Sequence, residues 1–516
     1  MKISKNWFFS LVYKAWWIVP IVVIGMHIPF LQADPDVRLS HSRDALSDEG
    51  LNSSQIRNFI HYGKINAWEC DNLIKTPLFN LMIWPPMALF GTYREVPRIS
   101  VLLFVFLLLS ILFTNKPYRR FWAVMVPMVF LQFHMFQYSH FSMAEMPAIA
   151  CTIAAIAAWC RHAAPQPGSH RLRWLALSIM FSSMAWYMKI QFIYLLPLIP
   201  VSTIILWFTH RSHRKNFSRF VISSFFLFGI VALFVLLYLA VWYYPLRQAW
   251  TYIMQNQTAA RFPIWKYQGE VFDYNFALYF MNERVMPIFG LFIISIPAAL
   301  GLLFHRTKSV FPLLLIPATC WILLETHKVL IHHVPGRYLV STFAAMGFFA
   351  CITWVEMARR FLPALTDWFT LSRFRRGWGI IAFVLISGTI AYHLFSYADM
   401  YQKRRYDMHR MNRYLQNLSL GKITAVGAWA PSITWGTQIK AVPVWKDFLN
   451  DRNILSQHQP RIIFSEPEEQ ESNQAFSNDG IRISAIADSL QQTMPGNKWT
   501  VMLYWINPDT LSVYAK

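Results

Sequence analysis

Long unbroken apolar runs alternate with short basic segments through the first three quarters of the chain. A helix crossing a hydrocarbon core of ~30 Å needs about 20 mostly apolar residues. About eleven stretches meet or approach that length, near 8–30, 98–114, 121–137, 147–160, 174–188, 190–208, 219–241, 286–304, 309–325, 338–357 and 378–395. The pattern changes in three places. Residues 31–97 form a large loop with an amphipathic stretch at 55–63 that ends in a glycine, the signal of a short helix. An apolar stretch at 77–90 follows, broken by Pro85-Pro86, and both stretches are expected to lie at the interface rather than to span it. Residues 242–285 form a second long loop, rich in Tyr, Trp and Arg, as suits a membrane–water boundary. In the tail, 396–516, 13 basic and 11 acidic residues are well mixed, the composition of a water-soluble domain. Its β-like runs at 423–427, 461–464 and 501–505 alternate with helical patterns at 401–418 and 481–493, which predicts a small α/β domain outside the membrane. The predicted fold is a polytopic α-helical membrane protein over 1–395 with a soluble α/β domain over 396–516. No internal repeat or low-complexity tract interrupts this plan.

Composition agrees, and charge sets the orientation. The chain is 55% hydrophobic, 17% aromatic and 14% charged, too apolar for an ordinary soluble protein. Its net charge of +21 is not a nucleic-acid footprint, because the cations recur in every second loop. With a cytoplasmic N-terminus those loops carry Lys2, Lys5 and Lys14; Lys116, Arg119 and Arg120; Arg161, Arg171 and Arg173; Arg211, Arg214, Lys215 and Arg219; Arg306 and Lys308; and Arg359, Arg360, Arg373, Arg375 and Arg376. Only Glu356 and Asp367 oppose them on that side. The positive-inside rule then puts the N-terminus in and, after an odd number of spans, the C-terminus out. No small-residue cleavage site follows the first apolar segment, which is expected to be a retained span. Cys70, Cys151, Cys160, Cys320 and Cys351 are scattered, with neither metal-ligand spacing nor a disulfide framework.

Ionisable residues at membrane depth are costly and tend to mark sites. Here they gather on the outer face: Asp44, Asp48 and Glu49, then Arg57, Lys75, Glu145, Lys189, His332, His333 and Arg337. Carboxylates and cations converging on one face suit sugar transfer from a lipid phosphate. A carboxylate can take the proton of an acceptor hydroxyl, and cations can neutralise the departing phosphate. Each residue also has a plain reading. Ser47 or Asp48 could cap the first amphipathic helix, with the acids favoured by its positive end. Glu145 and Lys189 could snorkel to water, and Lys75 could be a solvated loop lysine. Arg337 and Tyr338 could anchor the interface, although a guanidinium suits lipid phosphate well. His332 and His333 bring a divalent metal into view, yet adjacent histidines without a nearby third ligand are a weak metal signal.

In sequence order these residues resemble the membrane-embedded GT-C glycosyltransferases, in particular the group of the protein O-mannosyltransferases and the lipid A aminoarabinose transferase. Asp48-Glu49-Gly50, followed by Arg57-Asn58-Phe59 and Gly63, resembles the family's acidic pair and first interfacial helix. Lys75-Thr76-Pro77-Leu78, leading to Leu89-Phe90-Gly91, resembles its Lys-Pro-Pro-Leu loop and second interfacial helix. Ser142-Met-Ala-Glu145-Met-Pro147 is similar to the second-loop motif ending in Asp/Glu-x-Pro, and Arg337-Tyr338-Leu339 to the Arg-Tyr that begins a late span. The match covers roughly residues 10–345. In the tail, Gly427-Ala-Trp-Ala-Pro431 and Val442-Pro-Val-Trp445 resemble the outer α/β tail of some bacterial members. Two departures stand against the aminoarabinose substrate: Thr76 replaces the usual first proline, and eleven spans are fewer than those enzymes have.

The resemblance implies an inverting transferase in a bacterial inner membrane. Asp48 would be the catalytic base, with Glu49 and Glu145 shaping the acceptor or metal environment. Arg57, Lys75, Lys189 and Arg337 would bind the phosphate of a polyprenyl-phosphate sugar donor. The acceptor would be lipid A, a surface polysaccharide, a protein or another lipid. Two competing readings are a flippase or exporter of a lipid-linked sugar and a non-catalytic assembly subunit. Transporters often show paired repeats and broken helices in corresponding halves, and neither is clear here.

Overall fold

The computed structural model describes residues 18–39, 44–113, 118–164, 171–209, 217–255, 268–304, 311–331, 336–361, 373–466, 470–492 and 501–506. Within them, every expected apolar stretch is mostly helical, with short turns at 26–27, 131–132 and 196–197. Among the described residues, eight helices are long and apolar enough to cross a membrane: Glu95–Leu112, Glu145–Ala163, Ile190–Thr209, Val221–Tyr243, Met286–Leu303, Leu313–Leu330, Gly336–Phe361 and Gly377–Asn417. Ile18–Phe30 and Phe121–Phe130 are shorter apolar helices, and Arg171–Met188 is a further helix of 18 residues.

Two spans form the centre of the bundle. In the most apolar 18-residue stretch of both Glu145–Ala163 and Gly336–Phe361, 89% of the residues are buried, against 11% for Val221–Tyr243. The alanines at 148, 150, 154, 155, 157 and 158 give the first of these a narrow profile that lets neighbouring helices approach closely. The lipid-facing spans instead expose Phe, Leu and Ile, the residues hydrocarbon accepts.

The first loop folds over one end of this bundle. Its amphipathic helix runs over Asp44–Tyr62, longer than the pattern at 55–63 suggested, and ends at Gly63, which takes φ +70°. The expected break at Pro85-Pro86 does not occur, since Pro77–Phe90 is one helix with both prolines inside it. Each proline removes a single i→i−4 bond, and the remaining bonds carry the helix through to Gly91.

The tail is a five-stranded mixed sheet, built from β1 (Thr424–Val426), β2 (Lys440–Val442), β3 (Ile462–Ser465), β4 (Ala487–Gln492) and β5 (Val501–Ile506). The order is β2-β1-β3-β5-β4, with β1 parallel to β2 and β3, and β5 antiparallel to β3 and β4. Side chains alternate between its faces, as the strand period of two requires. Ala425, Ile462, Phe464 and Leu503 pack with Met408, Leu415 and Trp429 on one side. Val426, Ile463 and Ile506 pack with Ile454, Leu455 and Phe476 on the other. The helix expected at 481–493 is largely wrong: a single turn at Ile483–Ile486 leads into β4, which pairs with β5 along its whole length. Cross-strand pairing overrides the local helical pattern there.

Candidate active site

The helix Asp44–Tyr62 has two working faces. At 3.6 residues per turn each residue turns by about 100°, so positions nine apart point in opposite directions. Asp48 and Arg57 are such a pair. The Arg57 side docks the tail. Its guanidinium donates to Thr434 Oγ1 at 3.3 Å, to the Gly50 carbonyl at 3.2 Å and to the Pro431 carbonyl. It also stacks 4.1 Å above the Trp435 ring. Burial pulls this guanidinium down to about 9. Asn58 donates to the Ala441 carbonyl at 3.0 Å and accepts from the Ala441 amide at 3.1 Å, acting on β2 as a neighbouring strand would. Glu69 pairs with Lys440 at 2.7 Å. Gly50 has a packing reason to be glycine: a Cβ there would lie 2.5 Å from the Ser432 amide nitrogen and 2.6 Å from the Pro431 carbonyl carbon.

Asp48, on the opposite face, forms an ion pair with Arg337. The helix is already under way at Asp44, so Asp48 lies beyond the first turn, where free amide donors are found. Capping therefore does not account for it. Arg337 reaches Glu145 as well, Nε to Oε1 at 3.9 Å, and Lys189 donates to the same Glu145 oxygen. The result is a chain of alternating charge, Asp48–Arg337–Glu145–Lys189. Glu145 is 2% exposed, so it does not snorkel, and its partner comes from 44 residues further along the chain. Glu145 Oε2 and Arg337 Nε have no hydrogen-bond partner among the described residues.

Tyr338 completes the cluster. Its ring lies 5.1 Å from Lys189 Nζ and 5.1 Å from Arg337 Cζ. It also lies within electrostatic reach of Lys75, which itself pairs with Asp71. Glu145 is the first residue of one central span, and Arg337 lies on the first described turn of the other. The positive end of the helix Glu145–Ala163 thus meets Lys189 and Arg337, an arrangement that favours an anion. Exposure rises outward: the side chains of Glu145 and Lys189 are 2% and 9% exposed, that of Lys75 30%.

Glu49 is placed differently. Its two oxygens accept from Arg98 Nε and Nη2 at 2.5 Å each, and Oε1 also accepts from the Ser142 amide at 2.9 Å. Arg98 in turn donates to the carbonyls of Phe30, Leu31 and Ala33. This buried clamp holds the acidic helix, the span Glu95–Leu112 and the loop before Glu145 together. Burial raises the Glu49 carboxyl, but Arg98 more than offsets that and leaves it below its ordinary value. The structure thus brings together Asp48, Glu145, Lys189 and Arg337, sets Lys75 within electrostatic reach of Tyr338, and places Glu49 and Arg57 outside that cluster. His332 and His333 lie outside the described residues. Among those described, no three His, Cys, Asp or Glu side chains group as a metal site.

A second buried pair, marked by none of the sequence motifs, lies behind this cluster. Glu325 and Lys328 meet at 2.7 Å, and Lys328 also donates to the Tyr338 carbonyl at 2.7 Å. Their signal was present: an acid at the end of the apolar stretch 309–325 and a base three residues on.

No family model matches the chain, and no curated protein matches it in sequence. Solved structures do match its fold. The crystal structure of ArnT from Cupriavidus metallidurans bound to undecaprenyl phosphate aligns with a TM-score of 0.57 at 12% identity, covering 97% of this chain and 98% of that one. The same protein in the apo state gives 0.55 at 13% identity, over 95% and 97%. From its first described helix to its tail, this chain has the polytopic membrane fold of ArnT.

Proposed function

We propose that the protein is an inverting glycosyltransferase that moves a monosaccharide from a polyprenyl-phosphate carrier to an acceptor on the outer side of a bacterial inner membrane. The observation that carries this reading is the convergence of Asp48, Arg337, Glu145 and Lys189 beside Tyr338, with Lys75 within electrostatic reach, at one end of the two central spans. That the ArnT neighbour was crystallised with undecaprenyl phosphate supports the choice of carrier.

In this reading the carrier phosphate sits among Lys75, Lys189, Arg337 and the N-terminus of the helix Glu145–Ala163, and its tail lies in lipid. The incoming phosphate competes with Asp48 for Arg337 and so frees the Asp48 carboxylate. The acceptor hydroxyl, hydrogen-bonded to Asp48, attacks the anomeric carbon from the face opposite the phosphate. A new C–O bond forms, the bond between the anomeric carbon and the phosphate oxygen breaks, and Asp48 takes the proton. The carrier phosphate leaves with the bonding pair, and the cations neutralise it as it departs. One displacement inverts the anomeric configuration.

The test is to incubate the purified protein with a panel of undecaprenyl-phosphate monosaccharides and membrane extract. Free carrier phosphate and the anomeric configuration of the product are then measured. Carrier release with inversion supports the reading. Movement of intact carrier across proteoliposomes with no release replaces it with the exporter reading.

A further inference from the structure

We infer that Glu325 is a positioning residue: one buried carboxylate that ties together the two chain segments presenting Lys189 and Arg337 to the cluster. The inference rests on the transferase reading and adds to it a residue that touches no reacting atom.

Glu325 is fully buried and accepts from five donors. Oε1 takes the Tyr194 hydroxyl at 2.6 Å, the Ser341 hydroxyl at 2.6 Å and the Trp321 indole N–H at 3.1 Å. Oε2 takes the Thr342 hydroxyl at 2.8 Å and Lys328 at 2.7 Å. These donors come from two places that matter. Ser341 and Thr342 lie on the first turns of the helix that begins Gly336-Arg337-Tyr338, and Lys328 holds the Tyr338 carbonyl at 2.7 Å. Rotation of that helix end, and so the direction of Arg337, is constrained at three points. Tyr194 belongs to the 3-10 turn Ile190–Leu195, whose N-cap is Lys189. The Phe192 amide donates back to the Lys189 carbonyl at 2.8 Å.

Such a construction is expensive at membrane depth. A carboxylate and an ammonium are both taken out of water, and a partly satisfied network there would be worse than apolar packing. Packing alone could join these helices with Leu or Phe. Specific orientation of two cations is what the carboxylate adds, because cations that stabilise a leaving phosphate must be placed to within a fraction of an ångström.

The experiment compares Glu325→Gln, Lys328→Met, the Glu325→Gln/Lys328→Met double variant and Ser341→Ala/Thr342→Ala, all in the full-length protein. Thermal midpoint, kcat and donor KM are measured on undecaprenyl-phosphate sugar. We expect kcat per folded molecule to fall about 10- to 100-fold with a much smaller change in KM. The double variant should regain thermal stability without regaining kcat. In a cycle with Arg337→Lys, the loss from Glu325→Gln should shrink sharply, since both act through the same guanidinium. Should single variants misfold, Ser341→Ala/Thr342→Ala leaves no buried charge unpaired and reports alone. Wild-type kcat in that variant, kcat returning together with stability in the double variant, or additive losses with Arg337→Lys would each overturn the inference. Absence of transfer by the wild type would sink the transferase reading instead.

Discussion

Breaking the Glu145–Lys189 pair separates what the cluster does for folding from what it does for chemistry. Both side chains are nearly dry, 2% and 9% exposed. The surface value of about 0–1 kcal/mol for an ion pair therefore does not apply, and removing one partner of a buried pair costs about 3–5 kcal/mol. Lys189→Met leaves Glu145 with Arg337 at 3.9 Å, which still offsets part of the stranded charge. The lower end, about 3 kcal/mol, follows, or roughly a 150-fold change in the folded-to-unfolded ratio. Glu145→Gln strands Lys189, whose remaining partner is the face of Tyr338 at 5.1 Å, worth about 1–2 kcal/mol when desolvated. A cost of about 3 kcal/mol is again expected. The double variant Glu145→Gln/Lys189→Met buries two neutral groups of similar shape and should fall within about 1 kcal/mol of wild type. The assay is denaturation in detergent, followed by carrier-phosphate release at matched folded protein. The expected result is recovered stability with transfer still lost. Wild-type transfer by the double variant would refute the claim that these groups act on the donor. Single variants as stable as wild type would refute the burial argument.

Other outcomes follow from the same geometry. Glu49→Gln should lower stability by about 3–5 kcal/mol, because it leaves Arg98 in a dry site without its carboxylate; this is checked by denaturation. The Glu49 pKa is lowered on folding, so its contribution is present above the unfolded value of about 4.3 and is lost as pH falls through the lower folded value. Melting midpoints measured from pH 6 down to pH 3 should show that loss only at the acid end, as those pKa values require. Gly50→Ala drives a methyl into the backbone at Pro431 and Ser432 and should cost about 1–3 kcal/mol. Faster proteolysis of the tail would report it. Arg57→Met should loosen the same interface and leave donor KM unchanged per folded molecule, read by proteolysis and steady-state kinetics.

The spans were legible because hydrocarbon imposes a single rule on composition and length, and all eleven apolar stretches are mostly helical where described. Motif order sets Asp48 and Arg57 side by side as site residues, whereas the helical period separates them by half a turn. The link between Glu145 and Lys189 depends on how two spans pack, and nothing local encodes it. Glu325 sits at the end of an apolar run, where an acid looks like an edge residue. Its five donors appear only once Tyr194, Trp321, Lys328, Ser341 and Thr342 are brought together. In the tail, Ala487–Gln492 became a strand because β5 offers it an edge, a tertiary reason that no local pattern carries.

The central claim is that Asp48 is the base of a transfer reaction run at this cluster. The most direct measurement is carrier-phosphate release from undecaprenyl-phosphate sugars by wild type and by Asp48→Asn, with folded protein matched and carrier binding measured in parallel. Wild type should release the carrier, and Asp48→Asn should retain carrier binding with release nearly abolished. Release at the wild-type rate by Asp48→Asn would contradict it.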